Sequence, residues 1–126
     1  MTLKYTSEFH ATIQVNDMDR AKKFYLETLG LKLVDDIPEA NWASFQTAVE
    51  GAKVGISKPF EGNAVASNVV NLHVENASDA RKLLGDKGLT TSDMTHFPGM
   101  ISMFSIEDPD GNSLTFIGPP EQAAPS

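Results

Sequence analysis

Cysteine is absent from all 126 residues, which excludes disulfide staples, thiolate metal ligands and a cysteine nucleophile together. Long apolar runs are missing too, and no stretch approaches the roughly 20 residues that a membrane-spanning helix needs. Basic residues are scarce: 10 Lys and Arg stand against 17 Asp and Glu. The net charge of −7 therefore comes without the clustered cations that displace counterions from nucleic acid. The opening MTLKYTSEFH has neither the basic start nor the apolar core of a secretory signal. No phosphate-binding glycine loop or hydrolase serine elbow interrupts the chain. The expectation is a soluble, cytoplasmic protein with no nucleic acid and no membrane among its partners.

What the sequence does contain is one unit written twice. Ile13-Gln14-Val15-Asn16-Asp17 is echoed by Leu72-His73-Val74-Glu75-Asn76 at an offset of 59, and GAKVGISKP from Gly51 by GNSLTFIGP from Gly111 at an offset of 60. In the first copy, HATIQV (10–15) alternates as a half-buried strand does. Asn16 or Asp17 can cap a helix over 18–29, on which Ala21, Phe24, Tyr25 and Leu29 recur at helical spacing before Gly30 ends it. Strands are expected over 32–35, 42–48 and 52–58. The second copy repeats the order with a strand over 68–74, a helix over 78–84 and strands over 90–93, 101–106 and 113–117. The whole reads as one domain, 1–126, of the α+β class, made of two tandem βαβββ modules at about 7–59 and 67–119 with a mobile tail over 120–126.

Alternation along the strands sorts the side chains onto two faces. Ala11, Ile13, Val15, Val54, Ile56, Val70, Leu72, Val74, Leu114 and Phe116 share an apolar face for the helices to cover. His10, Thr12, Gln14, Lys53, Gly55, Ser57, Val69, Asn71, His73, Ser113, Thr115 and Ile117 share a mostly polar one. Such a face is either solvated or the lining of a ligand cavity, and patterning alone does not choose. Trp42 and Phe45 send one ring to each face, in an order that pattern leaves open. Met100, Met103 and Phe104 suit either an adaptable lining or plain packing.

FHATIQVNDMDRAKKFYLETLGLKL, with the later SIEDPDGNSLTFIG, resembles the vicinal oxygen chelate superfamily, which includes glyoxalase I, extradiol dioxygenases and bleomycin-resistance proteins. The resemblance covers nearly the whole chain. It implies a cupped, mostly antiparallel mixed sheet with helices on its convex face, a ligand in the cup and a homodimer. The DPDGN turn itself is read as structural, with Pro109 and Gly111 setting its dihedrals and Asp108 and Asp110 bonding locally.

Enzymes of this superfamily hold one divalent metal with a residue on the first and last strand of each module. Those positions fall here on His10, Gly55, Val69 and Thr115, so one ligand of four survives, and a lone imidazole does not hold a divalent ion. His73 lies about 13 Å along the strand from the Val69 position at ordinary strand rise, too far to substitute. His96 is not placed by the sequence. The expected function is accordingly a metal-independent binding or sequestration of a small organic molecule, as bleomycin-resistance proteins perform, with no cofactor. The expected ligand contacts are His10, Thr12, Gln14, Trp42, Gly55, Val69, Asn71, His73, Met103 and Thr115. The alternative is a glyoxalase-like lyase, isomerase or dioxygenase that works through a recruited metal or through His10 as its catalytic residue. A dimeric accessory domain with a vestigial cavity is the third reading.

Overall fold

The computed structural model describes residues 3–65 and 69–121. The chain divides into two compact units, 1–66 and 67–126. The first contains β1 (Phe9–Gln14), α1 (Met18–Lys23), β2 (Lys32–Ile37), β3 (Trp42–Gln46) and β4 (Ala52–Ser57). The second contains β5 (Val69–His73), α2 (Ala77–Asp86), β6 (Thr95–Phe97), β7 (Ile101–Glu107) and β8 (Ser113–Gly118). Each unit is thus a βαβββ module with a four-stranded mixed sheet, ordered β1-β4-β3-β2 in one and β5-β8-β7-β6 in the other. First and last strands of each module run parallel, and the remaining pairs are antiparallel. The ladders reproduce the repeat: Thr12 faces Gly55 across β1 and β4 as Asn71 faces Thr115 across β5 and β8.

Both helices start where a side chain can satisfy an orphan backbone N–H. Asp17 accepts from the Arg20 N–H at 2.9 Å, and Asn76 accepts from that of Asp79 at 2.8 Å. The helix expected over 18–29 changes character half-way. After Lys23 it widens into a π-helical turn, Phe24–Thr28, in which the Leu29 N–H reaches the Phe24 carbonyl. Both Phe24 and Tyr25, adjacent in sequence, are buried there, and Tyr25 meets Phe45 of β3 at 5.7 Å between ring centroids. Ile13, Val54 and Ile56 complete this core, and α1 packs on β4. In the second unit α2 packs on β7 and β8, over Leu114, Ile106 and the stacked rings of Phe104 and Phe116.

Two details of the second unit correct the sequence reading. The strand expected over 90–93 lies instead at Thr95–Phe97. Ser92 explains the displacement: its N–H donates to the Ser105 carbonyl at 2.9 Å, but its hydroxyl, rather than its carbonyl, accepts from the Ser105 N–H at 2.8 Å. The Ser92 carbonyl is turned to Arg81 Nε at 2.8 Å, so a side chain interrupts the ladder that a strand would extend.

The second correction is at the start of the expected free tail. Glu121 is bonded into the unit, its carboxylate accepting from both the N–H and the hydroxyl of Ser78 at the start of α2. Its own N–H donates to Ser102 Oγ at 2.8 Å, and that hydroxyl also pairs with His96 Nδ1 at 2.8 Å. Residues 122–126 of the tail, and Asn68 at the expected start of β5, lie outside the described residues. Because this carboxylate sits at the positive end of a helix, Glu121→Ala is expected to destabilise the protein by about 1.5 kcal/mol. A urea denaturation midpoint unchanged in that variant would contradict the assignment.

Candidate functional site

The face of the first sheet opposite α1 gathers the residues that alternation assigned to it. His10 lies beside Lys53, Thr12 beside Gly55 and Gln14 beside Ser57. β3 extends the same face with Ser44 opposite Gly55 and Trp42 opposite Ser57. The open choice between the two rings is thereby settled. Phe45 is fully buried in the core against Tyr25, and Trp42 lies half-buried on the polar face.

The indole lies flat across β4 because residue 55 has no side chain. A Cβ built on Gly55 would come within 2.7 Å of Trp42 Cζ2 and Cζ3, and closer still to Cη2. The His10 ring stacks with the same indole, centroids 6.0 Å apart and planes inclined by 21°. His10 is exposed and makes no hydrogen bond or ion pair among the described residues, so no carboxylate orients it as a general base would require. The neighbouring Lys53 ammonium is 3.8 Å from Glu8.

Other residues on this face are already engaged. Gln14 Oε1 accepts the Val65 N–H at 2.9 Å and Asn16 Oδ1 accepts that of Ala64 at 2.8 Å, so these two amides hold the segment leaving the module. Sequence reasoning missed Asp35 and Ser44, whose side chains bond at 3.0 Å beside Gly55. A register shift between Leu33 and Asp35 brings that carboxylate opposite Ser44. Counting by two from Trp42 would have found Ser44, but ending the strand at Asp35 hid the bulge.

In the second unit Asn71, Thr115 and Ser105 lie side by side, as do His73, Ile117 and Met103. Asn71 and His73 are exposed, whereas Thr115 and Met103 are half-buried. Val69 pairs with Ser113 in the ladder, but its side chain lies outside the described residues. His96 pairs with Ser102 on the opposite, helix-covered face, so it does not join His73. Phe104 belongs to that core, and Met100 stands exposed in the turn before β7. At one end of this sheet a cleft of about 610 Å³ opens between Gly88–Ser92 and the Ser105–Asp108 end of β7, with Ser113 beside it.

Around the metal-ligand positions named from the resemblance, the residues do not fit a divalent ion. The space over Gly55 is occupied by an indole, and Thr115 offers only a neutral hydroxyl, a poor ligand for a divalent ion. Among the described residues no three His, Asp or Glu side chains converge.

Residues 9–116 match the family model described as the Glyoxalase/Bleomycin resistance protein/Dioxygenase superfamily. No curated protein matches the chain in sequence. Solved structures do. TnmS3, an antibiotic binding protein from Streptomyces sp. CB03234, superposes with a TM-score of 0.79 at 21% identity, covering 94% of this chain and 98% of its own. A superfamily member from Sphaerobacter thermophilus DSM 20745 gives 0.76 at 23% identity, with 92% and 98% covered. Lactoylglutathione lyase from Agrobacterium tumefaciens gives 0.72 at 15% identity, with 86% and 90% covered. Such identities speak for the fold alone; the family model, matched across both βαβββ units, goes further. The chain belongs to the Glyoxalase/Bleomycin resistance protein/Dioxygenase superfamily, in a form that lacks most of its metal ligands.

Proposed function

We propose that this protein binds or sequesters a small, flat, partly apolar organic molecule without a metal ion, using the Trp42 ring as its main contact surface. The observation that carries this reading is the indole laid across Gly55 where a metalloenzyme of the superfamily would place a ligand. A half-buried ring held flat by its neighbours offers a π-face already in position, so little side-chain entropy is lost on binding. Thr12, Ser57 and His10 border it with polar groups that can fix a ligand's orientation. TnmS3, whose fold the chain shares, is an antibiotic binding protein, which favours binding over turnover. Acting as a cytoplasmic homodimer belongs to the same proposal; the exposed rings of Tyr5 and Phe9 are apolar surface that a second copy would cover.

Trp42 is the only tryptophan, so its fluorescence reports on the site directly. In chelator-treated protein, titration with bleomycin as the first probe, followed by a panel of planar antibiotics, is expected to give saturable quenching and no product. By calorimetry Trp42→Ala should weaken the same interaction at least tenfold, the loss expected when a central aromatic contact is removed. Consumption of the bound compound would replace this reading with an enzymatic one. Stoichiometric binding of Zn²⁺, Ni²⁺, Mn²⁺ or Fe²⁺ tighter than about micromolar would remove its metal-free element.

A further inference from the structure

We propose that the cleft between Gly88–Ser92 and the end of β7 is a second ligand site, built for a small polyhydroxylated cation of the amino sugar class. It lies within the second unit and uses neither Trp42 nor His10, so it stands or falls separately from the function proposed above.

Size comes first. At about 610 Å³ the cleft falls within the range of small-molecule sites and admits one or two sugar rings. Its walls are held in place. The two hydrogen bonds between Ser92 and Ser105, with Arg81 on the Ser92 carbonyl, tie the loop to β7. At the far end Asp108 is locked by the turn that follows it, accepting from the N–H groups of Asp110 and Asn112 and from Asn112 Nδ2. A ligand would therefore meet a formed surface.

The chemistry of the wall selects the ligand. The hydroxyls of Thr90, Thr91, Ser105 and Ser113 make no side-chain hydrogen bond among the described residues, and each both donates and accepts. That is the complement of a polyol. Leu89, half-buried in the wall, adds apolar surface for the C–H face of a ring. No Lys, Arg or His lines the cleft, and Glu107 has no ion pair or side-chain hydrogen bond among the described residues. Its exposed carboxylate is a ready partner for an ammonium group, and the net charge of −7 favours approach of cations. A bare divalent ion would need convergent carboxylates, and the only other one in the wall, Asp108, is already taken by three N–H donors.

The test is a titration of the ¹⁵N-labelled full chain with glucosamine, glucose and N-acetylglucosamine at neutral pH, followed through backbone amide shifts. Glucosamine is expected to give saturable shifts confined to residues 88–92, 105–108 and 113, with a Kd of about 1 mM. Glucose and N-acetylglucosamine, which lack the ammonium, should bind about tenfold more weakly. Glu107→Gln, with the rest of its spectrum unchanged, should reduce glucosamine to the level of glucose while leaving quenching at Trp42 intact. Absence of saturable shifts up to about 50 mM would overturn the proposal. So would equal affinity for the three sugars, shifts located elsewhere, or glucosamine binding that survives Glu107→Gln.

Discussion

Gly55→Glu, which puts a carboxylate at one of the metal-ligand positions that the resemblance implies, is expected to unseat Trp42 rather than to rebuild a metal site. The Cβ alone collides with the indole, so any side chain at residue 55 requires the ring to leave its place. Overpacking of this kind costs about 2 kcal/mol, and the exposed indole loses its stacked contact with His10 as well. Gly55→Ala should give most of the same loss, which separates the collision from the added charge. Emission from Trp42 should shift to longer wavelength in both variants, and ligand quenching should weaken with it. Combining Gly55→Ala with Trp42→Ala should cost less than the two single changes added together, since the second removes what the first strikes. Additive losses would mean that the ring does not depend on the glycine.

Asp108→Ala is expected to cause the largest loss of stability of any single change considered, about 3 kcal/mol or roughly 10 °C in Tm. The residue is only 5% exposed, and its carboxylate accepts three N–H bonds from Asp110 and Asn112. Its backbone adds two more, its N–H to the Asn112 carbonyl and its carbonyl to the Gly111 N–H. Removing the side chain leaves buried donors without an acceptor while the turn must still place Gly111 at φ 83°. Asp108→Asn keeps one acceptor oxygen and should lose less. If thermal denaturation placed both variants near the parent, the turn would be a passive connection and not an anchor for β7 and β8.

Much of this architecture was legible because its signals were local and doubled. Alternation in HATIQV, the capping pair Asn16-Asp17 before the first helix, and the near-constant offset of the repeat each pointed to the same modules, and the ladders place Gly55 and Thr115 at matching positions. The candidate site was legible as a face but not as a constellation. Trp42 and Phe45 are an odd number of residues apart, so period two assigns them to opposite faces without saying which is which; the packing of Tyr25 decides it. The displacement of β6 was hidden because it depends on whether a serine offers its hydroxyl or its carbonyl to a neighbour far along the chain. The anchoring of Glu121 was hidden for a similar reason, since its partner Ser78 is remote in sequence and only the fold brings them together. The π-helical turn leaves no compositional mark, because Phe24 and Tyr25 read equally well as neighbours on an ordinary helix.

The parallel pairing of first and last strands has a consequence for synthesis. Within each module the opening strand finds its partner only after the helix and two intervening strands have been made, so the sheet closes late and through non-local contacts. Translation runs from the amino end, and β4 leaves the ribosome well before β8 does. The first module can therefore close its sheet while the second still waits for its last strand, and for Glu121 to reach the start of α2. A ribosome paused just before β8 would thus carry a nascent chain whose first module has its full set of strands while the second still lacks its last.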